Sequence, residues 1–446
     1  MDWSCRNAQS AECFRVKRWK HAGKSRSVQT EICSEAHGSR GIGAERYDMK
    51  DHNDKVKGLK MDFSPNFRGT ARRMIILTAV FLCLGLLAGC KKDKEKEEEP
   101  QETVQEAQTQ KEPSAAEAEP EEEKEDPNKL EPGMMRSYLS GLPVDEKIGN
   151  RRPVAIMLNN LEAAQPMSGI SRADVVYEYV VEGGITRLMG LFENYDDLDK
   201  IGSVRSCREY FVYTALEFDA IYMHFGQAAY AVELLAQDYV DNLNGLGEAG
   251  DTCFYRTTDR QAPHNVYTSA AGIEAGIKKL GYREDHYDGY NGKFKFCDLD
   301  KTVTNENGAS AKHIEPDYKI NKPWFDYNEK TGKYDRYQYG GPQIDELTGE
   351  QLSYDNVILQ YNKWAQLDQK DYLAFDCHSG GIIQYCTKGM FTIGTWRRDV
   401  DSAKDGNVDM APIRYYDMEG NEIEINNGKT FVCVIQDTAL DDIVLE

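Results

Sequence analysis

The chain has 446 residues, with 54 Lys and Arg against 75 Asp and Glu, and a formal net charge of -21. A protein that binds nucleic acid regardless of sequence needs a basic surface to neutralise phosphates, so this charge argues against that class. With 40% hydrophobic residues the chain can build a core, which excludes disorder throughout its length. At about 100–200 residues per domain, the length predicts two or three domains.

The first informative element along the chain is a secretory signal. Two arginines at 72–73 precede the uncharged run MIILTAVFLCLGLLA at 74–88, which LAGC at 87–90 closes. The run is shorter than the about 20 apolar residues that span a membrane, but it fits the apolar core of a signal peptide. LAGC resembles a bacterial lipobox, which implies cleavage before Cys90 and lipidation of its thiol. The alternative is an uncleaved anchor helix.

Two segments flank this signal. Met61 provides a compact start, so we predict that residues 61–89 are a lipoprotein signal peptide and that residues 1–60 are a non-native N-terminal extension. Residues 90–130 contain one Leu, one Val and no aromatic residue, so they cannot bury enough apolar area to fold. We predict a disordered acidic tether there, which holds a folded domain away from the membrane surface.

The rest of the chain divides by pattern into two regions. Residues 131–285 alternate apolar strands with helical stretches, which favours an α/β architecture. The predicted strands are 153–158, 174–181, 186–192 and 220–224, and the predicted helices are 206–218, 228–240 and 268–280. Residues 286–446 lose the helical period, and their predicted strands are 356–361, 381–386, 392–396, 413–416 and 430–435. The sequence therefore predicts a mixed α/β N-terminal domain with a smaller β-rich C-terminal domain.

Polar side chains accumulate in four stretches of residues 131–285. Residues at strand ends of an α/β sheet line a common crevice, and arginine recognises carboxylate or phosphate at two points. Arg205 and Ser206 also lie at the start of a predicted helix, where free N–H groups attract anions. We therefore expect a cleft whose ligand-binding residues are Asn159, Glu178, Glu182, Arg187, Arg205, Ser206, Arg208, His224, Arg256, Arg260, His264 and Asn265. The alternative is that these arginines pair with carboxylates of an acidic domain.

The same stretches leave a catalytic alternative open. Glu178 and Glu182 lie on the same side of a strand and would suit acid–base chemistry together with His224 or His264. Cys207 lies between arginines at a predicted helix start, an environment that lowers the pKa of a thiol and permits a Cys–His pair. The sequence contains no G-x-S-x-G, P-loop or H-E-x-x-H motif, so enzymatic activity is left undecided.

Six cysteines lie in residues 131–446. None forms a C-x-x-C pair or a His/Cys cluster at zinc spacing, so we expect no structural metal and no cofactor. Cys377 and Cys386, nine residues apart, either form a disulfide across a turn or are buried thiols that pack as small apolar side chains. The six are Cys207, Cys253, Cys297, Cys377, Cys386 and Cys433.

Several of these stretches carry a family resemblance. They are RPVAIM at 152–157, SRADVVYE at 171–178, VEGGITR at 181–187, IGSVRS at 201–206 and APHN at 262–265. In these motifs the chain resembles the YerB-like lipoprotein family, whose core is domain of unknown function 3048, over residues of about 145 to 440. The resemblance implies an exported lipoprotein of Gram-positive-type bacteria and supplies no activity. The chain departs from the family at Cys207, where a small residue is expected.

Three functions follow as hypotheses. The first is a membrane-anchored lipoprotein on the extracytoplasmic face, lipidated at Cys90, that binds an anionic or polyhydroxylated cell-envelope ligand such as a cell-wall polymer. The second is a cell-wall hydrolase or transferase that uses Glu178 or Glu182 with His224 or His264. The third is an interaction module for proteins of wall synthesis.

Overall fold

The computed structural model describes residues 126–446 and, nearer the N-terminus, two short antiparallel strands, Phe14–Val16 and Thr30–Ile32. The predicted signal peptide, Cys90, most of the tether and the rest of the extension lie outside the described residues, so they remain predictions. Within the described part, no helix is long and apolar enough to cross a membrane.

A mixed sheet of eleven strands organises residues 126–446. Its strands, in chain order, are β1 (Val154–Asn159), β2 (Val175–Val180), β3 (Thr186–Phe192), β4 (Ile221–His224), β5 (Asn242–Asn244), β6 (Ala309–Ser310), β7 (Asn356–Asn362), β8 (Gly381–Thr387), β9 (Met390–Arg398), β10 (Ile413–Tyr416) and β11 (Thr430–Gln436). Their order across the sheet is β5-β4-β1-β3-β2-β11-β7-β8-β9-β6, and β10 also pairs with β9.

The C-terminal strand β11 lies in the middle of this sheet. It runs parallel to β2 on one side and to β7 on the other, so that Phe431 lies opposite Val176 and Val357. The predicted boundary at 285/286 therefore falls within one continuous sheet, to which both sequence regions contribute strands. The predicted fold class is confirmed: the N-terminal strands carry helices, and the C-terminal region is almost entirely β.

Both faces of the central strands are buried, which explains why the sequences of these strands are nearly continuous apolar runs. In β1, Ile156 and Leu158 face one core cluster and Met157 faces the other. Helix Glu209–Leu216 packs with Phe211 on the same side as Met157, and helix Ala270–Leu280 lies on the opposite side. The described α-helices are Glu146–Gly149, Glu209–Leu216, Val232–Leu235, Gly250–Cys253 and Ala270–Leu280.

All three predicted helices differ from the structure, and the first, predicted at 206–218, spans Glu209–Leu216. In place of 228–240, the chain forms a 3₁₀ turn, Ala229–Ala231, and one α-helical turn, Val232–Leu235. The helix stops early because the chain turns at Gln237 and brings Asn242–Asn244 alongside β4. The last helix is shorter by two residues than predicted: Ser269 caps its N-terminus and Gly281, with φ +67°, ends it.

Smaller sheets surround the large one. A six-stranded sheet contains Gly341–Pro342, Lys333–Gln338, Trp324–Asn328, His313–Glu315, Val444–Leu445 and Ser353–Tyr354. A three-stranded sheet contains Tyr255–Arg256, Val266–Thr268 and Ile201–Gly202. Two-stranded ribbons pair Met134–Arg136 with Pro143–Asp145, Lys295–Phe296 with Glu424–Ile425, and Trp364–Gln366 with Leu373–Phe375. The three-stranded sheet supplies one wall of the candidate site.

Candidate functional site

The chain segment 203–207 crosses the ends of two parallel strands, β1 and β4. Asn159 N donates to Ser203 O at 2.9 Å, Arg205 N donates to Met157 O at 3.0 Å, and Phe225 N donates to Arg205 O at 3.0 Å. These backbone bonds fix the segment between the two strand ends. The ends of β1 and β4 are therefore neighbours, while the prediction that their residues line a ligand-binding crevice stays a prediction.

Four polar side chains from different parts of the chain meet along this segment. Arg187 Nη1 donates to Ser206 O at 2.5 Å, and Arg205 Nη1 donates to Pro263 O at 3.1 Å. The Asn159 amide contacts His264 Nδ1 at 2.8 Å. The structure thus brings Arg187, the segment 203–207 and the segment 263–264 together with the end of β1.

Arg256 lies next to these residues on the three-stranded sheet. Its Nη1 donates to Asn265 Oδ1 at 2.8 Å, and its guanidinium lies 4.9 Å from the ring centroid of Phe225. Phe225 is the residue whose backbone bonds to Arg205. We call Arg187, Arg205, Arg256 and His264 the arginine cluster. Within residues 126–446, no carboxylate forms an ion pair with any of its three arginines.

The electrostatics of the cluster show an excess of positive charge. Burial, together with the nearby charges of Arg208 and Arg205, lowers the pKa of Arg187 to about 9, and the charge of Glu182 opposes this shift only in part. Burial and Arg208 also lower the pKa of Arg205, and burial, Arg205 and Arg260 lower the pKa of His264. A bound anion would offset this repulsion and favour the charged form of each group.

Two of the predicted arginines are already partnered. Arg208 makes a two-point ion pair with Glu182, with 2.5 Å between Nε and Oε1. Arg260 donates to Ala164 O and Pro166 O, each at 2.7 Å, and its guanidinium lies 3.7 Å from Glu346. The alternative reading of these arginines, pairing within an acidic domain, therefore describes Arg208 and Arg260 but not the arginine cluster.

The expected acid–base group Glu178 is fully buried. Its carboxylate pairs with Arg336 and accepts hydrogen bonds from Thr186 Oγ1 at 2.6 Å and from the Asn321 amide at 2.8 Å. Asn160 donates to it as well, at 3.0 Å. Glu178 and Glu182 thus have different surroundings, and Glu178 is saturated with protein partners away from solvent.

His224 is also fully buried, at the end of β4. Its ring contacts Gly226 O at 2.8 Å and Asn242 Oδ1 at 3.2 Å. Burial lowers the pKa of His224 to about 4, so the imidazole is neutral near pH 7. These contacts position the loop that carries Phe225, and His224 does not reach the surface as a proton donor.

The expectation of a reactive Cys207 is wrong. Its thiol is fully buried, and burial raises its pKa to about 12, despite the nearby charges of Arg208 and Arg187. The predicted helix start is also corrected: the helix begins at Glu209, because Cys207 pairs with Gln227 in an extended bridge. Arg205 and Ser206 therefore lie before the helix and not at its free N–H groups.

The remaining cysteines behave as packing residues. All six, including Cys377 and Cys386, are free and buried, so the disulfide alternative is not realised. In the described ranges, no group of three or more His, Cys, Asp or Glu side chains is placed to hold a metal ion.

Sequence reasoning missed the residues that surround the cluster. The ring of Phe225 lies under the Arg256 guanidinium. Leu246 and Ser206 lie on either side of Gly226: a Cβ at Gly226 would be 3.3 Å from Leu246 Cδ1 and 3.5 Å from Ser206 Oγ. The only local signal was that Phe225 follows directly after His224 in the sequence.

A cavity of about 540 Å³, lined by Ile393, Met418 and several carboxylates, lies away from the arginine cluster, beside β9.

The comparisons with known proteins give the class of the protein. The chain is 29% identical over 307 residues to "Putative lipoprotein YerB" of Bacillus subtilis (strain 168), a match that covers 68% of this chain and 87% of the relative. The fold is also similar to the crystal structure of YerB from Bacillus subtilis, with a TM-score of 0.59 and 28% sequence identity. This match covers 70% of the present chain and 99% of the YerB chain. Homology to a lipoprotein indicates a membrane-anchored lipoprotein.

The family follows from two further matches. The family described as "Protein of unknown function (DUF3048)" matches with its N-terminal domain at residues 139–283 and with its C-terminal domain at residues 314–432. Together these ranges cover more than half of the chain. The chain belongs to this DUF3048, YerB-like family, as the sequence motifs predicted.

Proposed function

We propose that this protein is a lipoprotein, anchored through Cys90 on the extracytoplasmic face of the membrane, that binds an anionic or polyhydroxylated cell-envelope ligand at the arginine cluster. The signal peptide at 61–89 would direct export, and the tether at 90–130 would give the folded part its reach. Lipidation at Cys90 rests on the LAGC sequence and on homology to a lipoprotein.

The observation that carries this proposal is the unpaired state of Arg187. The chain has 21 more acidic than basic side chains, yet within residues 126–446 Arg187 has no carboxylate partner, although it is only 6% exposed. Its Nη1 donates to the carbonyl of Ser206. The Glu182 carboxylate, whose charge acts on Arg187, is already paired with Arg208, so an anionic ligand would supply a charge to a nearly buried cation that has no carboxylate of its own.

The remaining predicted residues divide into two roles in this proposal. Arg187, Arg205 and Arg256 provide charge, and Asn159, Ser206, His264 and Asn265 provide hydrogen-bonding groups around them. Glu178, Glu182, Arg208, His224 and Arg260 hold the backbone that carries these groups. The ligand would therefore contact arginines whose charges are available, on a frame of buried and paired residues.

The test is retention of the protein on purified cell-wall sacculi that carry their anionic polymers. We expect the double variant Arg205→Gln, Arg256→Gln to bind at least about tenfold more weakly, because charge-assisted hydrogen bonds are each worth about 1.5–3 kcal/mol. The matched control is Arg397→Gln, an exposed arginine on β9 that stacks on Tyr416. Unchanged retention of the double variant, with its melting temperature also unchanged, would overturn the proposal.

The melting temperature of the same variant tests the interaction-module hypothesis. An interaction module with a purely structural cluster predicts that the double variant lowers the melting temperature. The hydrolase or transferase hypothesis has no support from Glu178, which is sealed from solvent. We therefore retain wall binding as the function that the geometry supports best.

A further inference from the structure

We infer that the ligand of the arginine cluster is an amphiphile, an anionic phosphate-type headgroup joined to a hydrocarbon chain, and that Leu246 contacts the chain. This inference rests on the proposed function and narrows the class of its ligand. Two features of the structure carry it: the position of Leu246 beside the cluster, and the rigid turn that presents it.

Leu246 is the most exposed large apolar side chain of residues 126–446, at 69%. Gly226 separates Leu246 from Ser206, because a Cβ at Gly226 would be 3.3 Å from Leu246 Cδ1 and 3.5 Å from Ser206 Oγ. Ser206 is the residue whose carbonyl binds Arg187. An exposed apolar side chain therefore lies across Gly226 from the residue that binds Arg187.

A network of hydrogen bonds holds Leu246 in this exposed position. Asn244 Oδ1 accepts from Leu246 N at 3.0 Å and from Gly226 N at 3.3 Å, and Gly247 N donates to Asn244 O at 2.9 Å. The turn at 244–247 is thus tied to the loop that follows β4. Because its backbone is fixed, Leu246 is available to a ligand with little further ordering.

Gly245, the neighbour of Leu246, packs directly on the ring of Phe225. Phe225 is half-buried under the Arg256 guanidinium and packs edge-on against Phe254, with 5.7 Å between ring centroids. A headgroup bound by the arginines would therefore leave its substituent over Phe225 and Leu246. A fully polar anion would gain nothing from this surface, whereas a hydrocarbon chain gains about 0.8 kcal/mol for each CH₂ removed from water.

The experiment compares methyl phosphate with hexyl phosphate by calorimetric titration of the full chain in phosphatidylcholine nanodiscs. We expect hexyl phosphate to bind about tenfold more tightly, the effect of burying about two CH₂ groups. Leu246→Asn should remove this gain and leave methyl phosphate binding unchanged. Met418→Asn is the matched control, because Met418 is 68% exposed and lies on a turn beside the other cavity.

The outcomes separate this inference from the proposed function. If the Arg205→Gln, Arg256→Gln variant binds both phosphates as the wild type does, the arginine cluster is not their site and the proposed function fails. If neither phosphate binds while the wild type is retained on sacculi, the inference fails and the proposed function stands. Equal affinity for methyl and hexyl phosphate overturns the inference alone. A gain that survives Leu246→Asn, or that Met418→Asn also abolishes, overturns it as well, since the chain would then bind elsewhere.

Discussion

Glu178 on β2 and Arg336 on strand Lys333–Gln338 form an ion pair in which both side chains are fully buried. The pair connects the large sheet with the six-stranded sheet. Taking two charges out of water is costly unless further hydrogen bonds compensate, and the Glu178 carboxylate accepts three in addition to Arg336. The pair is therefore a structural device, and its partners lie 158 residues apart in the chain.

We predict that Arg336→Met destabilises the protein by about 3–5 kcal/mol, because it leaves the Glu178 charge buried without a partner. Urea unfolding followed by circular dichroism would measure the change. The double variant Glu178→Gln, Arg336→Met is the control, and it should recover part of the loss because no charge is then buried. A loss below about 1 kcal/mol for Arg336→Met would contradict this role of the pair.

Strand β11 shows how one element decides the architecture. Its residues Thr430 to Ile435 are buried, and it pairs along its length with β2 and β7. Without β11, both neighbours would become open edges in the centre of a large sheet. The N-terminal α/β region and the C-terminal β-rich region therefore depend on the same strand.

We predict that deletion of residues 429–446 abolishes cooperative unfolding of the whole folded part, because it removes this central strand. Deletion of 437–446 alone is the control, since it removes only a 3₁₀ turn and the edge strand Val444–Leu445 and keeps β11. The measurement is the urea transition of each variant. If residues 131–285 still unfold cooperatively in the longer deletion, that region folds as an independent domain.

At the scale of the whole molecule, the proposed lipid anchor at Cys90 would place the arginine cluster near the membrane surface. The family relationship to a lipoprotein indicates membrane attachment, and LAGC at 87–90 supplies one cysteine for it. A single acyl chain gives only marginal binding to a membrane, whereas two chains give stable anchoring. The acidic tether would then keep the arginine cluster in solution near the surface, because like charges extend the chain.

We predict that the mature protein begins at Cys90 with a diacylglyceryl group on its thiol, which mass spectrometry of the membrane fraction would detect. Cys90→Ser should leave the signal peptide attached, because the lipidated cysteine directs cleavage. Cys83→Ser, within the apolar run, is the matched control and should be processed normally. A processed, membrane-bound Cys90→Ser protein would show that the anchor is another segment.

The sequence by itself determined the features that depend on local pattern. The strands Thr186–Phe192 and Ile413–Tyr416 coincide with their predicted bounds. In Thr186–Phe192 the reason is the uncharged run from Leu188 to Phe192, since a strand covered on both faces is apolar over most of its length. Family membership also followed from contiguous motifs. The position of the arginines near strand ends was also predictable, because local pattern predicts where each strand ends.

Tertiary structure alone decided which charges are free. Arg205, Arg208 and Arg260 are the same residue type, yet Arg208 is paired with Glu182 and Arg260 lies 3.7 Å from Glu346. In the described part of the chain, Arg205 has no carboxylate partner and donates to the carbonyl of Pro263. The ion pair of Glu178, the insertion of β11 between the two regions and the position of Leu246 beside the cluster likewise join distant residues. Such contacts depend on how the strands are ordered in the sheet, and local sequence carries no record of that order.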